Sequence, residues 1–106
     1  MPEWVMTAAH CVIHNDTSKF KVILGDVDRI KTEGSEQEFK VKRIIRHRLF
    51  SHPVPYENDI ALFQLSHAAT LNDLVNTACL PGFLAEVPVG TGCYITGEFY
   101  VVYIDY

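Results

Sequence analysis

Two short stretches carry residue types that could do acid–base chemistry together. The first, Trp4-Val5-Met6-Thr7-Ala8-Ala9-His10-Cys11, is an apolar, strand-prone run that stops at a turn of small residues and presents one histidine in a fixed direction. The second, Asn58-Asp59-Ile60-Ala61-Leu62-Phe63-Gln64-Leu65, sets an acid at the entrance of a nearly unbroken apolar strand. A carboxylate in that position needs a partner, since burying it alone costs on the order of several kcal/mol. A histidine ring N–H donating to it is a cheap solution. A histidine after a strand is, taken alone, more often a hydrogen-bonded core or surface residue. The acid-led second stretch is what shifts the balance.

A third stretch, Asp26 to Gln37, places Asp26, Glu33 and Glu36 on one loop in which Gly34 permits a tight reversal. Converging carboxylates need a cation or open water, and hard oxygen ligands of this kind suit calcium. A solvated acidic loop explains the same residues equally well.

The elements that must position these residues all read as strands. Ile13 to Lys19 is a loop rich in residues that satisfy their own backbone, namely His14, Asn15, Asp16, Thr17 and Ser18. Phe20 to Leu24 follows as a strand ended by Gly25. Glu38 to Arg46 is a longer strand with Phe39 and Val41 on one face; Ile44 and Ile45 break the alternation and predict a bulge near Lys42 or Arg43. The loop from His47 to Asn58 contains Pro53 and Pro55 and brings Tyr56 near the His10 turn. Ile60 to Leu65 is apolar on both faces, as expected of a strand buried on both sides, and Ser66 to Asn76 is polar and loop-like. His47, His52 and His67 read as loop or surface residues. The fold class is all-β.

With 106 residues, 48% of them apolar and 21% charged, the chain is long enough for one domain with a core. A net charge of -4 argues against nucleic acid as a partner. Lys40, Lys42, Arg43, Arg46 and Arg48 do cluster, but the alternation of Lys40 and Lys42 with Phe39 and Val41 marks the solvated face of a half-buried strand. No stretch is long and apolar enough to cross a bilayer, and the first residues lack the pattern of a signal peptide. Three cysteines, Cys11, Cys79 and Cys93, with no short paired spacing, fit neither a self-contained disulfide framework nor a zinc knuckle.

Thr7-Ala8-Ala9-His10-Cys11 followed by Asn58-Asp59-Ile60-Ala61-Leu62 resembles the trypsin and chymotrypsin family of serine endopeptidases. Ala78-Cys79-Leu80-Pro81 and Gly92-Cys93-Tyr94-Ile95-Thr96-Gly97 look like further landmarks of that family. The resemblance implies an incomplete first barrel of a double β-barrel, about four of six strands, with the start of the linker and of the second barrel. It covers residues 4–97 as a partial peptidase domain and leaves 98–106 as a divergent tail.

By resemblance, His10 is the general base and Asp59 the acid that orients it, while the serine of the family's Gly-Asp-Ser-Gly-Gly turn has no match among Ser18, Ser35, Ser51 and Ser66. The oxyanion hole and specificity pocket belong to the same unmatched half, so the chain alone is expected to be inert. The cysteines matching Cys11, Cys79 and Cys93 pair in the family with partners outside this sequence. The loop of Asp26, Glu33 and Glu36 resembles the family's structural calcium loop, and the reaction itself needs no cofactor. Protein or peptide substrates, protein inhibitors and an extracellular location are implied in the same way, with no nucleic-acid or membrane partner. Two other readings compete: a non-catalytic pseudo-protease module that binds a partner, and a small Cys/His metal domain. The absence of short ligand spacings disfavours the second.

Overall fold

The computed structural model describes residues 2–28 and 30–96; the divergent tail read at 98–106 lies outside them. Four strands form, β1 (Trp4–Thr7), β2 (Lys21–Leu24), β3 (Gln37–Arg46) and β4 (Ala61–Leu65), joined into one antiparallel sheet in the order β1-β4-β3-β2. The sheet curls into half a barrel, as a partial chymotrypsin-like barrel should.

The curl originates in β3. Its first residues, Gln37 to Lys40, pair with β2, and its later residues, from Val41 onward, pair with β4. The change of partner coincides with a register shift between Val41 and Arg43, so the predicted bulge is present at Lys42. An extra residue on one strand increases local twist and turns the sheet. Phe39 and Val41 therefore point into the concave side, whereas Lys40 and Lys42 are exposed as the alternation required.

The core is formed by Ala9, Val12, Val22, Phe39, Val41, Ala61, Phe63, Leu65, Ala69 and Val75. Phe20 closes one side of it with its ring 5.1 Å from that of Phe63. The expectation that β4 is buried on both faces is met on one face only. Ala61, Phe63 and Leu65 are buried, but Leu62 and Gln64 are only half-buried.

The segment from Ser66 to Asn76 does more than its polar composition suggests. Gln37 holds Thr70 at two points, its Nε2 donating to the Thr70 carbonyl at 2.8 Å and its Oε1 accepting from the Thr70 N–H at 2.9 Å. This clamp seats Ala69 and Val75 in the core. Gly25 ends β2 with φ +72°, and a Cβ there would stand 2.7 Å from the Ser35 carbonyl oxygen, so only glycine fits. The Ser35 hydroxyl donates back to the Gly25 carbonyl at 2.9 Å and fixes the acidic loop to the strand end. Residues 76–96 carry no strand and are exposed throughout, including the part read as opening a second barrel.

Candidate active site

His10 sits in a single 3-10 turn, Ala9–Cys11, directly after β1. The turn is short because Cys11 N–H donates to the Ala8 carbonyl and Val12 N–H to the Ala9 carbonyl, at 3.1 and 3.0 Å. Ala9 and Val12 are each 1% exposed, so both ends of the turn are anchored in the core while His10 and Cys11 face outward between them. Asp59 stands two residues before β4, which pairs with β1 through Thr7 and Ala61. The same ladder that joins the strands brings the acid under the turn.

The Asp59 carboxylate grips His10 twice. Its Oδ1 accepts from the His10 backbone N–H at 2.8 Å, and its Oδ2 meets the ring Nδ1 at 2.6 Å. An ionised carboxylate only accepts, so Nδ1 carries a proton, and in the neutral imidazole Nε2 is left with its lone pair pointing away from the acid. Tyr56 lies edge-on to the imidazole with ring centroids 6.0 Å apart, where the sequence places it. Partial burial by itself raises the Asp59 carboxyl. The ring hydrogen bond, the His10 backbone N–H and the imidazole charge, with a smaller contribution from Ala9, outweigh this and hold it below its ordinary value.

A pH dependence follows. Asp16, held down by the Ser18 hydroxyl and N–H, and Glu36, held down by the Glu33 N–H first, then by its own N–H and the Gly34 and Ser35 amides, are lowered in the same direction as Asp59. A carboxylate that binds protons less readily when folded stabilises the fold above its unfolded pKa and loses that contribution as pH falls through the folded one. Thermal midpoints are therefore expected to hold near neutrality and drop once pH enters and passes below the ordinary carboxylate range, about 4. Asp59→Asn should make that acid limb shallower; an unchanged limb would detach Asp59 from it.

The other residues with candidate roles are placed as follows. Glu36 turns both carboxylate oxygens onto its own loop, accepting from Glu33 N–H at 2.6 Å and Gly34 N–H at 2.8 Å. It does not join Asp26 and Glu33 in a shared cage, and among the described residues no group of three or more His, Cys, Asp or Glu is arranged to hold a metal ion. The four serine hydroxyls are engaged elsewhere: Ser18 with Asp16, Ser35 with Gly25, Ser51 with the Tyr56 N–H, and Ser66 with His67. One neighbour of His10 went unread in the sequence. The Cys11 Sγ lies 3.5 Å from Nε2; its adjacency to His10 in a turn was the available signal.

Comparison with known proteins decides the lineage. The family model described as Trypsin matches residues 1–98. The chain belongs to the trypsin family. This trypsin-family chain is 42% identical over 102 residues to chymotrypsin-like elastase family member 3B of Homo sapiens, covering 91% of this chain and 36% of that protein. It is 42% identical over 96 residues to chymotrypsin-like elastase family member 1 of Bos taurus, covering 90% and 35% respectively. The chain thus spans about a third of the length of these relatives. Within the trypsin family it is a serine-protease-type sequence with an all-β, half-barrel fold. Among the described residues no helix is long and apolar enough to cross a membrane.

Proposed function

We propose that this trypsin-family chain carries the proton-handling half of a serine endopeptidase, with His10 as general base and Asp59 as the group that orients it and stabilises its charged form. The observation that carries this reading is the double grip of Asp59 on His10, through backbone at 2.8 Å and ring at 2.6 Å. It leaves Nε2 as the acceptor that the peptidase mechanism requires for a serine proton. The attacking serine, the oxyanion donors and the substrate pocket are supplied by sequence other than these residues. Substrates are protein or peptide chains, protein inhibitors are natural partners, and the setting is extracellular.

The test is amide hydrolysis by the purified 106-residue chain. Release of product no faster than in buffer is expected, together with no labelling by a serine-directed fluorophosphonate. Turnover that disappears on substituting one of its own four serines would overturn the reading.

Calcium rests on resemblance and the acids of one loop. To bind it, Glu36 would have to release the Glu33 and Gly34 amides that now satisfy it. Those bonds already do the work of an ion in closing the loop, so the melting midpoint is expected to be the same in calcium and in chelator. A rise in calcium would establish a rearranged site containing Asp26, Glu33 and Glu36.

A further inference from the structure

The cations from Lys40 to Arg48 read in the sequence as one solvated face, and the structure divides them. Before the bulge, Phe39 and Val41 hold the core side of β3, and Lys40 and Lys42 hold the open side. An inserted residue exchanges the two sides for everything that follows it. Ile44 therefore packs against the core, and Arg46, two residues on, shares its side. The Arg46 guanidinium turns toward the chain leaving the His10 turn, where Nη1 donates to the Val12 carbonyl at 3.3 Å. That bond uses one of its five N–H donors.

Beside this guanidinium lies a cavity of about 400 Å³ lined by Asn15, Arg46, His47, Arg48 and Phe50. Its polar walls are made of donors. The ion pairs of the described residues involve His10, Lys21 and Lys31 and leave both arginines aside. Among the described residues the side chains of Asn15 and Arg48 make no hydrogen bond. The Leu49 N–H donates to His47 Nδ1 at 3.2 Å, so Nδ1 is unprotonated and the ring carries its proton on Nε2, a further donor. The backbone that presents Arg48 is fixed by a turn in which the Phe50 N–H donates to the His47 carbonyl at 3.0 Å. No carboxylate lines the cavity. Two guanidiniums in one cavity without an acid repel each other, and a bound anion reverses the sign of that interaction. In a chain of net charge -4 this concentration of positive charge stands apart.

We propose that the cavity of Asn15, Arg46, His47 and Arg48 binds a compact oxyanion, a phosphate or sulfate group. The planar fork of Arg48 matches two oxygens of such a group, and the remaining Arg46 donors neutralise it from the core side. His47 Nε2–H and the Asn15 amide complete the donor set, and the cavity is of the size of small-ligand sites. Neither His10 nor Asp59 lines it, so the site is separate from the proton-handling pair. Lys40 and Lys42, on the other side of the strand, take no part.

The experiment is equilibrium dialysis of the 106-residue chain against radiolabelled inorganic phosphate, with ionic strength held constant by chloride. This reads the site whether or not the chain associates. Saturable uptake of a single phosphate per chain is expected, on the order of millimolar in affinity. Arg48→Gln, at an exposed position, should weaken it about tenfold, the scale of one hydrogen bond to a charged group. Arg48→Lys keeps the charge, loses the fork and should weaken it by less. Lys42→Gln removes the same charge from the opposite side of β3 and should leave binding unchanged. Displacement of the label by O-phosphoserine at lower concentration than by unlabelled phosphate would assign the group to a larger ligand, and the reverse order to the free ion. The proposal is overturned by the absence of saturable uptake, by an Arg48→Gln chain that binds as the parent does, or by an equal loss in Lys42→Gln, the mark of diffuse attraction to the whole basic strand. No amide substrate is present, so this outcome is independent of the hydrolysis test.

Discussion

His10→Ala, made in a polypeptide that joins this segment to a serine in a Gly-Asp-Ser-Gly-Gly turn, is expected to lower kcat about a millionfold, the size found when the histidine of a convergent serine protease is removed. Nε2 is the only ring atom left able to take a proton once Asp59 has claimed Nδ1 at 2.6 Å. Asp59→Asn should cost less, about ten-thousandfold, which is the value known for trypsin itself and not one obtained from this structure. The asparagine amide can present a donor to Nδ1 and so favours the wrong tautomer. It also withdraws the negative charge that stabilises the imidazolium. The two substitutions together should cost little more than His10→Ala alone, because residues that act as a unit are not additive. Steady-state kinetics on a peptide amide measures all three. A tenfold loss in either single variant would remove that residue from the proposed machinery.

The second large effect concerns the isolated chain. Sedimentation is expected to show species heavier than a 12.0 kDa monomer. β1 and β2 are the outer strands of a four-stranded sheet, so each offers a row of unpaired backbone groups. Beside β1 runs an apolar groove of about 820 Å³, with Val5, Leu62, Leu71, Leu74 and Leu80 in its walls, and Trp4 and Met6 are 44% and 50% exposed. The Cα radius of gyration is 16.3 Å, against about 13 Å for a compact domain of this length. A surface of this kind lowers its free energy by covering itself. Met6→Lys places a charge on the exposed side of the edge strand and should shift the distribution toward monomer. A sharp, reversible melt from a monomer at all concentrations would contradict the expectation.

The association of half a barrel and the proton chemistry of His10 have one origin. β1 and β4 are paired from Trp4 with Gln64 to Thr7 with Ala61. That pairing aligns the ends of the strands, and the turn after one meets the acid before the other. The partner of Asp59 was legible in advance because a carboxylate at the mouth of an apolar strand has few affordable neighbours. Tyr56 was legible because the proline-bearing loop that carries it leads straight into Asp59.

Local patterning by itself determined the strands, the bulge at Lys42, the turn at Gly25 and the type of residue at the two ends of the His10 to Asp59 bond. These depend on side-chain periodicity and on backbone freedom, which neighbours in sequence already express. The tertiary structure alone decided what each group faces. It showed one side of β4 only half-buried, the Gln37 clamp that draws Ala69 and Val75 inward, and Glu36 spent on its own loop in place of a shared cage. It also set Cys11 Sγ against Nε2. Such relations turn on directions and separations between residues far apart in the chain, or on the rotation of two adjacent side chains in one turn, and no spacing of letters encodes them.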